Sequence, residues 1–183
     1  MKKEGKSLSS LKAFFGKLVR FSFFDLGIEN EANIASYLTD LLSDFARTER
    51  LYKIRDSEGR QIQTVVEMLI KDQPESQENA EWEREIRKHI GDFTLFISGI
   101  FRDHVIKGSY LNYYMDEGAK SYQFVSRFDL ERGRGNPIVF SKLSRNFEYY
   151  SGALDYMRRV YFKAEKTSNP FSTFATQISK FTH

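Results

Sequence analysis

Apolar residues recur at intervals of three and four along most of the chain, the spacing that gathers side chains on one face of an α-helix. The first run predicts a helix over 10–24. Leu11, Phe15, Leu18 and Val19 share a face, Lys12, Gly16, Lys17 and Arg20 lie away from it, and Gly27 is a natural stop. A second helix begins after Asn30 and carries Ile34, Leu38, Leu41, Leu42 and Phe45 inward. Arg47 and Arg50 suit its negative end. The pattern breaks over 51–63, where turn residues at 56–59 allow either a loop or a small hairpin. A short helix over 65–71 and a linker around Pro74 follow.

The longest run predicts the central helix. Trp82, Ile86, His89, Phe93, Phe96 and Ile100 form one stripe; Ile90, Ile97 and His104 belong to a second beside it. Between 93 and 101 the helix is apolar nearly all round, as for an element packed on several sides. Gly91 and Gly99 lower helix propensity there, so they are expected to admit a close neighbour. Gly108 breaks the run, and Ser109 is expected to cap a helix reaching about 128. A flexible loop over 131–137 precedes Phe140, Leu143, Phe147, Tyr150, Leu154, Met157 and Tyr161, an unbroken seam of heptad type. These elements predict an all-α, single-domain bundle of about five to seven helices over 1–168, with a loose or peripherally docked tail over 169–183.

Composition narrows the function without naming it. The 17 Phe and 10 Tyr supply large rings for a core or an interface. There is no cysteine, which excludes disulfides, thiolate metal sites and thiol nucleophiles, and three histidines are a poor supply for zinc. No run approaches the roughly 20 apolar residues that span a bilayer. Lys12, Lys17 and Arg20 interrupt the apolar stretch after Met1, so no signal peptide is read, and a bacterial, cytoplasmic protein is expected.

A few positions can carry chemistry. Glu85, His89 and Asp92 fall on one side of the central helix, where imidazole and carboxylates suit a metal or a proton-transfer histidine. The bland alternative is a histidine at the surface edge with salt-bridging neighbours. His104 near a helix end is best read as a cap. Glu117 shares a stripe with Tyr110, Tyr114, Ser121 and Phe124, so either it faces solvent or it lines a ligand pocket among tyrosines. His89, Asp92, Tyr114 and Glu117 are therefore the ligand-binding candidates. The loop at 133–136 lacks the Gly-Lys-Ser/Thr ending of a phosphate-binding loop, yet Arg127, Arg132 and Arg134 around it can grip an anion. Residues 1–24 form a basic amphipathic helix rich in phenylalanine, fit to cover the core, to dock in a partner or to lie on an anionic membrane.

No Ser-His-Asp order, nucleophile elbow or HExxH motif occurs, and no catalytic residue, metal or cofactor is assigned. The leading expectation is a non-enzymatic interaction or regulatory protein that binds a protein partner or itself. A nucleic-acid-binding protein using Lys12, Lys17, Arg20, Arg127, Arg132 and Arg134 is the second. A small-molecule or metal-binding bundle centred on His89, Asp92 and Glu117 is the third.

Overall fold

A computed structural model describes residues 2–46, 65, 67, 68 and 80–161, with side chains from residue 11 onward. The described residues are all-helical, with seven α-helices and no strand: α1 (Lys2–Asp25), α2 (Ala32–Phe45), α3 (Ala80–Ile100), α4 (Arg102–Lys107), α5 (Leu111–Glu131), α6 (Pro137–Arg145) and α7 (Phe147–Tyr161). The segment 51–63, whether loop or hairpin, the linker at Pro74 and the tail 169–183 lie outside the described residues. Val65, Glu67 and Met68, from the expected short helix, are helical.

The chain forms two compact units. One comprises Met1–Lys53 and Tyr156–His183, the other Ile54–Asp155. In the first unit α1 packs on α2. Phe15, Leu18, Val19 and Phe23 point inward from α1, and Ile34, Leu38, Leu41, Leu42 and Phe45 from α2. The predicted stripes thus form the buried faces, except that Leu11 is half-buried and Gly16, expected to lie away, is buried beside Thr39, and α1 is a core helix. It ends where Gly27 takes the left-handed conformation, φ +64°, and the amides of Gly27 and Ile28 donate back to Phe24 and Phe23. That double return satisfies carbonyls the helix leaves unbonded.

In the second unit α5 packs against α3 and α6. From Ile86 onward α3 buries both stripes, and nearly every side of it is covered between Ile90 and Ile100. Its hydroxyls bond back to their own helix, as Thr94 Oγ1 does to the Ile90 carbonyl at 2.7 Å. The two glycines have the expected use. A Cβ on Gly91 would stand 2.7 Å from the Tyr122 ring, and one on Gly99 would stand 2.6 Å from Leu154 Cβ.

Four expectations need correction. The helix of the central run stops at Ile100, and Phe101 (φ −112°, ψ 30°) starts the separate turn-and-a-half of α4. Trp82 is 44 % exposed, because its place on the stripe lies above the covered part of α3. Ser109 does not cap α5. It adopts φ +59° and closes α4 instead, its amide donating to Ile106 and that of Tyr110 to Val105. The seam from Phe140 to Tyr161 is likewise two helices, divided at Asn146 (φ −119°, ψ 32°), although its side chains from Phe140 to Met157 are all buried. At the start of α6, Pro137 occupies the first turn and the Asn136 side chain accepts from the Val139 amide.

Two substitutions separate backbone strain from packing. Ser109→Gly relieves a left-handed conformation that costs an L-residue roughly 1–2 kcal/mol, and urea unfolding should show a gain of about 0.5–1 kcal/mol after glycine's greater unfolded-state entropy is deducted. Gly91→Ala gains about 1 kcal/mol of helix propensity but drives a methyl into a ring with nowhere to go. The net effect expected in the same assay is a loss of about 1–3 kcal/mol.

Candidate functional site

Two of the ligand candidates of the second unit, His89 and Asp92, are absorbed into its interior. His89 is completely buried, its ring 6.3 Å from that of Phe93, which replaces the surface-edge position expected of it. Asp92 accepts a hydrogen bond from the Tyr122 hydroxyl at 2.8 Å and pairs with Lys88 at 2.6 Å. Burial pulls the Lys88 ammonium toward neutrality, but the charge and hydrogen bond of Asp92 outweigh it and leave its pKa above the ordinary lysine value. Glu85 stands in solvent against Arg84. Glu85, His89 and Asp92 therefore do not converge. Among the described residues no three His, Asp or Glu side chains gather as a metal site.

Glu117 falls between its two expected positions, with a side chain 15 % exposed and an ion pair to Lys120 at 2.9 Å. Tyr114 stacks on Tyr110 and meets Phe93 edge-on. His104 lies in the last turn of the short α4, beyond the end of α3. None of these residues lines the hollow between α1 and α2 or the one between α5 and α6.

The arginines divide. Asp129 is wholly buried and holds Arg84 through two bonds of 2.9 and 2.7 Å, and this pairing raises the Arg84 pKa still further. Arg132 and Arg134 both reach Glu81 and both lie over the Phe128 ring, at 3.8 and 5.2 Å from its centroid. Two of the three expected anion contacts thus fasten the loop after α5 to the start of α3. Arg127 points outward from α5.

The first unit contains a groove of about 770 Å³ between α1 and α2. Phe23, Ile28, Ala32 and Ala35 give it apolar walls; Lys12, Arg20, Glu29 and Asp40 are among the charges at its margin. Lys12 and Asp40 pair at 2.7 Å, which raises the Lys12 pKa, first through the hydrogen bond and then through the charge of Asp40. Arg20 and Glu29 make no ion pair among the described residues. Phe24 lines the same groove and is 86 % exposed. The expected basic contacts Lys12 and Arg20 therefore sit at an apolar groove, while Lys17 lies 5.4 Å above the Phe21 ring. Beside them Asp25 accepts from the hydroxyls of Tyr156 and Tyr161, and the Tyr161 ring lies 6.0 Å from Phe21.

The sequence places Phe24 with Phe14, Phe15, Phe21 and Phe23 on the aromatic face of the first helix, but it does not single out Glu29 or Asp40. Phe24 had a usable signal: once Phe15, Val19 and Phe23 define the inner face, Phe24 falls off it and must be covered or exposed. Asp40 had none, since its partner Lys12 is on another helix. Comparisons with protein-family models, with curated proteins and with solved structures match nothing to this chain.

The tyrosine pair gives a pH signature. The hydrogen bond to Asp25, then burial and the Asp25 charge, push Tyr161 up from 10.0 to about 12. A phenol whose folded pKa is raised contributes stability in full below the unfolded value, and that contribution disappears as pH climbs from 10 toward 12. Absorbance titration near 295 nm should show one tyrosine ionising near pH 12, and Asp25→Asn should return it toward 10. An unchanged profile in that variant would remove Asp25 as the cause.

Proposed function

We propose that this chain is a non-enzymatic interaction protein whose α1–α2 groove pairs with a second copy of itself. The observation that carries the reading is Phe24, a ring 86 % exposed at the edge of an apolar groove large enough to receive one. A projecting knob beside a hollow makes a face self-complementary: a two-fold axis brings the knob of each copy into the hollow of the other.

The charges fit the same arrangement. Arg20 stands on the α1 side and Glu29 on the turn before α2, so rotation about a two-fold sets the basic side of one copy against the acidic side of its mate. Aromatic anchors set among excluded-water contacts dominate such interfaces, and truncating one costs on the order of 2 kcal/mol or more. Pairing of rim charges adds register more than affinity.

Sedimentation equilibrium on the full chain is the test. A monomer–dimer equilibrium is expected below ~100 µM, and Phe24→Asp should weaken it by roughly thirtyfold or more. Arg20→Glu and Glu29→Arg should each weaken it, and the double exchange should recover much of the loss. A chain that stays monomeric at ~100 µM, or a dimer indifferent to Phe24→Asp, rules the pairing out.

A further inference from the structure

A second concave feature, independent of the groove, lies in the second unit between α5 and α6. It encloses about 250 Å³. That is below the roughly 300–1,000 Å³ of sites for drug-sized molecules, and suits a small, compact ligand. Arg127 and Gln123 come to it from α5, Arg145 and Ser141 from α6.

We propose that this cleft binds a phosphoryl-type oxyanion, either free phosphate or the phosphate of a small monoester. Its lining contains two guanidinium groups and no carboxylate. Neither Arg127 nor Arg145 makes an ion pair among the described residues, even though Glu131 follows Arg127 by one helical turn and Glu148 follows Arg145 by three positions. Three other arginines of this unit are ion-paired: Arg84 is held by Asp129, and Arg132 and Arg134 by Glu81. Two guanidiniums on one cleft, neither held by a carboxylate, offer the planar, forked donors that recognise phosphate oxygens.

The remaining polar groups fit that ligand too. Ser126 and Ser144 line the same cleft, but each hydroxyl proton is committed at 2.8 Å, to the carbonyls of Pro137 and Ala119. Those two bonds clamp α6 to the chain of α5 on either side of the cleft and so fix its width. The Ser141 hydroxyl and the Gln123 amide have no such commitment among the described residues, and both can donate to an anion. The cleft therefore has fixed walls, two cations and two neutral donors. The sequence reading had placed Arg127 with Arg132 and Arg134; the fold separates it from them and gives it Arg145 as its companion.

The test follows the arginine Nε–Hε resonances in ¹⁵N–¹H spectra of the full chain during titration with inorganic phosphate, with O-phosphoserine titrated in parallel at matched ionic strength. Saturable shifts confined to two arginine side chains are expected, with Arg127→Gln and Arg145→Gln each removing one of them and weakening binding at least tenfold. Both side chains are exposed, so circular dichroism and Tm should be unchanged in these variants. Lys107→Gln, which removes the same charge from an exposed position on α4, should leave binding within twofold. The tighter of the two titrants shows whether the cleft takes the free anion or a monoester. Absence of saturable shifts with ~50 mM of either ligand, or equal weakening by Lys107→Gln and Arg145→Gln, overturns the proposal.

Discussion

Tyr122 is the node on which the second unit depends. Its ring is completely buried on α5, lies against the bare backbone of Gly91 on α3, and contacts Phe140 of α6 and Phe147 of α7 at 5.7 and 5.9 Å. Its hydroxyl reaches Asp92, which would be a costly buried charge without that bond and the ammonium of Lys88. A single side chain thus joins four helices and also satisfies a carboxylate. The requirement runs both ways: the ring fits only because residue 91 has no side chain, and the carboxylate is tolerated only because the ring carries an oxygen.

The same logic holds at the other end of α5. Asp129 has no exposed surface, and it is balanced by the two-point grip of Arg84, whose guanidinium also lies over Phe140. Buried ion pairs of this kind contribute little net stability, but losing one partner leaves an uncompensated charge worth about 3–5 kcal/mol. They fix how the helices align more than how strongly they adhere. Around this pair the loop arginines fold back onto Phe128 and Glu81, so most of the positive charge near α5 serves the architecture. Arg127 and Arg145 instead face an open cleft.

Helical periodicity made the fold class and most of the core legible. The stripes of α1, α2 and α3 named the buried residues, and Gly91 and Gly99 were correctly read as places of close approach. The breaks at Phe101 and Asn146 were not legible, because the three-and-four spacing of apolar side chains runs straight across both. Periodicity records which side chains are inside and is blind to a local change in backbone angles. Contacts between distant positions were equally hidden: Arg84 and Asp129 are 45 residues apart, and Asp92 and Tyr122 are 30 apart. His89 shows the same limit, since an i, i+4, i+7 trio suggested shared chemistry, whereas the fold turns Glu85 to solvent and His89 inward. The groove was half legible, in the basic residues of α1; its acidic margin belongs to a different element.

The two units are not consecutive stretches of chain. The first is assembled from both ends, Met1–Lys53 with Tyr156–His183, around an uninterrupted second unit. On a ribosome, α1 and α2 therefore emerge well before Tyr156 and Tyr161, the residues that engage Asp25 at the end of α1. At about 5–20 residues per second, the roughly hundred intervening residues impose a delay of some 5–20 s. Throughout that interval the helical pair that bears Phe24 exists without its C-terminal partners, while the second unit is itself still being synthesised. The long wait therefore falls on α1 and α2 alone, since the inserted unit ends at Asp155 and the second stretch of the first unit begins at the next residue.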